Sequence, residues 1–149
     1  MLSLEEVTLR PATKADAPLF YSVIDRTMRE FIVATWGAWN EERVQRESLE
    51  NSASPNAQVI QVGNVPVGVL LVEREPTYIQ VQQIYLLPDY QHKGIGGYLI
   101  EGIIAEATHS KLPVRLRVLT VNPAKEFYEK FGFVVTETSH EFYFMERVS

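Results

Sequence analysis

The chain has 149 residues and no cysteine. Disulfides, thiolate zinc sites and a cysteine nucleophile are therefore excluded. No apolar run approaches the roughly 20 residues that a membrane helix needs. There is no excess of basic charge either: 14 Lys and Arg against 19 Asp and Glu leave a net charge of −5. Nucleic-acid binders usually present a basic face, so neither nucleic acid nor membrane is expected as a partner. The first residues, MLSLEEV, lack the basic-then-apolar pattern of a secretory leader. A cytoplasmic location is the expectation. Repeats, linkers and low-complexity tracts are missing too, so residues 1–149 read as one domain, long enough to bury a real core.

Periodicity and punctuation divide that domain. Val7 to Arg10 alternates and stops at Pro11, as a short strand would. Thr13-Lys-Ala-Asp16 resembles a capping box with Asp in place of Glu. Leu19, Phe20, Val23, Ile24 and Thr27/Met28 then recur at helical spacing. FIVATWGAWN (31–40) is broken by Gly37. Asn40, followed by Glu41 and Glu42, is a good N-cap with acids in the first turn, and predicts a second helix to about Ser52. AQVIQV (57–62), the turn GNVP (63–66) and VGVLLVERE (67–75) predict a hairpin, and YIQVQQIYLL (78–87) a third strand in succession. A helix follows to about His109. PVRLRVLTV (113–121) alternates strictly, with Val114, Leu116 and Val118 on one face. Asn122 caps one more helix, with Pro123 at its first position and Gly132 at its end. FVVTET and EFYFMERV close the chain as two strands. A meander of three strands followed by strand–helix–strand gives an α+β fold with a mixed sheet, since simple βα alternation would not place three strands in a row.

Gly94, Gly96 and Gly97 stand where a helix should start, although glycine weakens a helix by about 0.5–1 kcal/mol relative to alanine. A strand leading through a glycine-rich turn into a helix makes an anion site, because the first amides of the helix are unpaired and the macrodipole adds partial positive charge. The P-loop pattern fails, since Lys93 precedes the glycine and no Ser or Thr follows. The dinucleotide pattern fails because Leu99 occupies the third glycine's place. Gln91-His92-Lys93-Gly94-Ile95-Gly96 does fit Q/R-x-x-G-x-G/A in full. A flexible loop with a frayed helix start is the alternative reading.

A second motif, Asn122-Pro-Ala-Lys-Glu-Phe-Tyr128-Glu-Lys-Phe-Gly-Phe133, follows one strand later. With both motifs in this order, the sequence resembles the GNAT superfamily of acetyl-CoA-dependent N-acetyltransferases over about residues 7–148. The resemblance implies a central mixed, mostly antiparallel sheet of about six to seven strands with a splayed parallel central pair, flanked by about four helices. It implies acetyl-CoA as co-substrate, an amine-bearing acceptor and no metal. The amides of Gln91, His92, Lys93, Gly94, Ile95, Gly96 and Gly97 would hold the diphosphate, with His92 and Lys93 adding charge. The backbone of Leu86 and Leu87 would pair with the pantetheine arm. Tyr128 falls where the family places its general acid, and Asn122 would serve as N-cap and cofactor contact.

The same resemblance frames the acceptor with the first two helices and the last hairpin, which here carry Trp36, Trp39, Glu30 and, beside them on the central strand, Tyr85. An aromatic pocket for a cationic or apolar amine, helped by Glu30, Glu41 or Glu42, is one reading; tryptophans that pin the helix–helix loop are the other. Many family members place a Glu base on the central strand, where this chain has Gln80, Gln82 and Gln83. Glu73, Glu75, Tyr85, His140 and Glu141 remain as candidates, and the base is unassigned. Two further readings stay open: an acyltransferase with a longer acyl donor, and a CoA-binding sensor without turnover. The fold also accommodates a homodimer through its terminal strands.

Overall fold

The structure is a computed structural model and describes residues 3–148. Its frame is a seven-stranded sheet in the order β1-β2-β3-β4-β5-β7-β6. The strands are β1 (Val7–Pro11), β2 (Ala57–Val62), β3 (Val65–Arg74), β4 (Ile79–Leu86), β5 (Val114–Leu119), β6 (Val134–Thr138) and β7 (Phe142–Arg147). Four helices flank it: α1 (Ala17–Trp36), α2 (Glu41–Ser52), α3 (Ile95–Ser110) and α4 (Ala124–Glu129). Every neighbouring pair is antiparallel except β4 and β5, which run parallel. The mixed sheet with one parallel pair and four helices is the architecture expected from the sequence. Among the described residues no helix is long and apolar enough to cross a membrane.

Local chemistry sets the boundaries. Thr13 and Asp16 form the capping box, Thr13 N–H donating to Asp16 Oδ2 at 2.8 Å, although the turn they open is a 3-10 turn before α1. Gly37 ends α1 at φ 83°, a left-handed conformation open to glycine. Asn40 Oδ1 accepts from Arg43 N–H at 2.9 Å and starts α2. Some boundaries differ from the sequence reading. Pro11 is the last residue of β1 instead of lying beyond it, tolerated because β1 is a sheet edge. The hairpin turn is only Gly63 and Asn64, since Val65 and Pro66 already pair with β2. Regular helix in α4 ends at Glu129, and the chain then turns through Gly132 at φ 90°.

Two apolar layers cover the sheet. On one face α3, α4 and the turn after α4 pack on it through Ile95, Ile100, Ile103, Tyr128 and Phe133 against Ile60, Ile79, Val81, Leu116 and Met145. On the other, α1 places Phe20 and Val23 on Ala57, Val59, Val69 and Leu71. In β5 the alternation sends Val114, Leu116 and Val118 into the first layer and leaves Arg115 and Arg117 exposed on the α1 face.

The parallel pair opens almost at once. β4 and β5 are joined at Ile79–Val114 and Gln80–Arg115, with Ile79 N–H on Pro113 O at 2.9 Å, and no further. The cause lies one residue on. Leu71 faces Gln83 while Val72 faces Val81, so Gln82 is a bulge in β4. A bulge bends its strand and increases local twist, which carries the rest of β4 away from β5. Gly68 lets β3 follow β4 closely through this bend, since a Cβ there would lie 2.3 Å from the Tyr85 carbonyl oxygen.

Candidate active site

The gap between β4 and β5 is the heart of a cleft of about 900 Å³ that reaches both faces of the sheet. His92, Gly94, Gly96 and Gly97 line its α3 end, and Met28, Phe31, Trp36 and Phe142 its α1 end. Gln83, Tyr85, Leu86, Asn122 and Tyr128 lie along the passage.

The glycine turn is built around unspent amides. After β4 the chain makes a 3-10 turn, Pro88–Tyr90, then adopts left-handed backbone at His92 (φ 60°) and Gly94 (φ 87°) before α3 begins. The first helical bond runs from Tyr98 N–H to Gly94 O at 3.0 Å. Among the described residues, no group accepts from the N–H groups of His92, Lys93, Gly94, Ile95, Gly96 or Gly97. Free N–H groups on such a turn form a concavity for an anion. Gln91 does not belong to this donor set, because its N–H is on Pro88 O at 3.2 Å. Its side chain instead donates from Nε2 to Leu86 O at 2.9 Å and ties the turn to the end of β4. Lys93 is exposed and off the cleft wall, and the Ile95 side chain is fully buried in the core.

Hydrogen-bond alternation in β4 identifies which backbone faces the gap. Leu87 N–H donates to Val67 O at 2.8 Å and Leu87 O accepts from Tyr90 N–H at 2.9 Å, so Leu87 has no free backbone group to offer. In an antiparallel ladder the residues bonded to the neighbour alternate. Tyr85 and Gln83 thus face β3, while Ile84 and Leu86 face the gap. The backbone open to an extended ligand is thus the N–H and C=O of Ile84 and the N–H of Leu86, not Leu86 and Leu87, since Gln91 already holds the Leu86 carbonyl. Ile84 was not among the residues singled out from the sequence; a two-residue count back from Leu86 would have found it.

Tyr128 is 8% exposed, with its ring edge-on to Phe127 (5.2 Å) and Phe133 (5.8 Å). Its hydroxyl has no hydrogen-bond partner among the described residues. Burial pushes its pKa far above the ordinary tyrosine value, with Tyr85 adding to the effect. Burial also raises the Tyr85 phenol, against the opposing pull of Arg117. Both remain protonated donors at neutral pH. Asn122 Oδ1 accepts from Ala124 N–H at 2.9 Å in the turn that leads into α4, but the N-cap itself is Pro123 and the helix starts at Ala124, one residue later than the sequence reading placed it. The Gln83 Oε1 atom is buried and unpartnered.

At the α1 end, Trp36 packs on Phe142 at 6.0 Å and stays 54% exposed. Trp39 does not reach the cleft. Its Nε1–H donates to Glu41 at 2.9 Å, its ring meets Tyr21, and Arg29 lies 4.3 Å above it, so it pins the α1–α2 connection. Glu30 and Glu42 are exposed and off the cleft wall, and Glu41 is occupied by Tyr21, Trp39 and Gln45. Glu73, Glu75, His140 and Glu141 do not line the cleft either. Its one carboxylate among the described residues, Glu47, is bonded to Arg43 at 2.8 Å. No group of three or more His, Asp or Glu side chains that could hold a metal occurs among the described residues.

A splayed parallel pair, a free-amide turn at one end and a buried phenol along the passage make up the site, and comparison with known proteins places the fold. The acetyltransferase (GNAT) domain profile matches residues 55–135, and the chain belongs to the GNAT acetyltransferase family. An acetyltransferase from Thermus thermophilus superposes with a TM-score of 0.75 at 23% identity, over 96% of this chain and 97% of that one. PaiA N-acetyltransferase from Thermoplasma acidophilum, crystallised with coenzyme A, gives 0.70 at 21% identity, over 96% and 99%. Arabidopsis thaliana Naa50, in complex with the bisubstrate analogue CoA-Ac-MVNAL, gives 0.69 at 16% identity, over 97% and 99%. At these identities the likenesses establish the fold. No curated protein sequence matches the chain.

Proposed function

We propose that this protein is an N-acetyltransferase that moves an acetyl group from acetyl-CoA to a primary amine by direct attack within a ternary complex. The observation that carries the reading is the set of free amides at His92–Gly97, opening onto the same cleft as Tyr128. Those amides and the α3 dipole fit a diphosphate, and the glycines leave room for it: a Cβ at Gly94 would find only the Leu4 side chain, at 4.0 Å. His92 lines the cleft beside it. The gap-facing groups of Ile84 and Leu86 suit an extended arm with amides, which adds to β4 as a strand would. An N–H on this stretch facing the thioester oxygen stabilises charge as the amine adds.

In this reading the amine enters from the α1 side of the cleft, past Trp36 and Phe142, and attacks the thioester carbon. Tyr128 donates a hydrogen bond to the departing thiolate. With no cysteine in the chain, no thiol of the protein takes up the acetyl group. A lysine-like amine costs about 4.6 kcal/mol to deprotonate at neutral pH. No free carboxylate lines the cleft among the described residues, so that proton passes to water. The same lack favours the second reading, a module that binds acetyl-CoA without turnover.

Two measurements decide. Acetyl-CoA at about 100 times its Kd adds about 2.7 kcal/mol of stability, so it is expected to raise Tm; an unchanged Tm at millimolar acetyl-CoA contradicts the site. Acetyl transfer over a panel of amines, read by mass spectrometry, separates enzyme from sensor, since a sensor gives the melting shift and no acetylated product.

A further inference from the structure

The charge lining the cleft is opposite to that of the chain. Overall the protein carries −5. Among the described residues, Arg10, Arg29, Arg43, Arg74 and Arg115 each hold a carboxylate, and Arg147 donates to the Phe131 carbonyl. Arg26, Arg46 and Arg117 hold none. Two of these three, Arg26 and Arg117, line the cleft, where the one acid among the described residues, Glu47, is paired with Arg43. Among the described residues, the fold thus leaves two of its three uncompensated guanidinium groups on the cleft.

Arg117 is the better placed of the two. Its position in β5, between Leu116 and Val118 of the core, sends its side chain to the α1 face. The guanidinium rests 4.1 Å from the centroid of Phe142, the ring that also packs on Trp36. Its charge is felt at Tyr85, which lies along the passage toward Tyr128. A guanidinium held on an aromatic face keeps its donor edge free for a planar, two-oxygen acceptor. A neighbouring depression over β5 and β7 shares Arg117; of its acids, Glu146 is held by Arg115 and Glu137 is exposed.

We infer that the acceptor is an amine that also bears a carboxylate, seated with the carboxylate on Arg117 and an apolar body against Trp36 and Phe142: an amino acid with an aromatic or branched side chain. The inference rests on the acetyltransferase reading and narrows it. Arg117 also repels a polycation, so a polyamine is disfavoured as acceptor. The reaction balances without another reactant. The amine nitrogen forms the bond to the acetyl carbon and the carbon–sulfur bond breaks. The thiolate is protonated to free CoA, and the ammonium proton leaves to water.

The experiment compares matched acceptors at saturating acetyl-CoA: tryptophan against tryptamine, phenylalanine against phenethylamine, and spermidine. Rates of CoA thiol release are paired with mass spectrometry of the product. A charge-assisted contact of this kind corresponds to about 10- to 100-fold in affinity. Each amino acid is expected to exceed its decarboxylated partner in kcat/KM by at least about 10-fold. Arg117→Gln is expected to erase that ratio while the acetyl-CoA-induced rise in Tm persists, and Arg117→Lys to keep part of the ratio. Tryptamine or spermidine matching the amino acids, or a ratio that survives Arg117→Gln, overturns the inference. So does a lack of transfer to every member of the panel while acetyl-CoA still raises Tm, an outcome that leaves the cofactor site standing. A missing rise in Tm overturns both.

Discussion

Tyr128→Phe is expected to lower kcat about 100-fold, at the low end of what a positioned acid contributes, while acetyl-CoA affinity changes by less than about threefold. The substitution is clean. It keeps the ring that packs edge-on against Phe127 and Phe133, and removes a hydroxyl with no partner among the described residues. The hydroxyl opens to the cleft and leaves no protein partner behind, so its removal is close to neutral for stability and Tm is expected to hold. The pH profile carries a second mark. Because burial raises the phenol well above its ordinary pKa, its protonated form persists through pH 9 and beyond. The rate is therefore expected to rise with pH as the amine loses its proton, with no falling limb from Tyr128 below pH 9. Full proton transfer from so weak an acid to a thiolate, whose conjugate titrates near about 8.5, is uphill. Hydrogen-bond donation to the leaving sulfur is accordingly the role assigned. An unchanged kcat in the variant removes Tyr128 from the reaction.

Gly96→Asp is expected to weaken acetyl-CoA binding by about 100-fold or more while leaving the unliganded protein as stable as before, or more so. A Cβ at Gly96 meets only the Phe127 ring, at 3.5 Å, an ordinary contact. In the absence of ligand the change is favourable on two counts. Replacing glycine by aspartate returns only about 0.3 kcal/mol of helix propensity, and an acid in the first turn of α3 gains about 0.3–1 kcal/mol from the dipole. With the diphosphate the sign reverses, because the new carboxylate occupies the same field as the phosphates. Opposite shifts of apo stability and cofactor affinity, read by melting curves and calorimetry, are the signature of an anion site. Gly96→Ala separates charge from bulk. If the aspartate variant kept the full acetyl-CoA shift in Tm, the diphosphate would have to lie elsewhere.

What could be read in advance divides along a physical line. Features encoded within one segment were legible. The alternation of Val114, Leu116 and Val118 fixed the inner face of β5, and Asn122 and Pro123 marked the start of α4. The glycine turn was recognisable because its residues are costly for a helix unless backbone must be exposed. Features that depend on two segments were not. The Gln82 bulge exists only in the register between β3 and β4, and the loss of Leu87 as a donor only in the position of Val67. Trp36 and Trp39 are equivalent as sequence. They part company because α1 runs to Trp36 and carries it to Phe142, while Gly37 turns Trp39 back onto Tyr21 and Arg29. Arg117 falls on the outer face of a predicted strand, where a charged side chain attracts no notice. Its lack of a carboxylate partner is visible only once the other arginines have found theirs.

The most direct test of the central claim follows the backbone amides themselves. In ¹⁵N-labelled protein titrated with coenzyme A, the cross-peaks of His92 to Gly97 are predicted to move most and saturate together, with Ile84 and Leu86 following as the arm lies along β4. Saturable binding that leaves the His92–Gly97 amides unmoved would contradict the account.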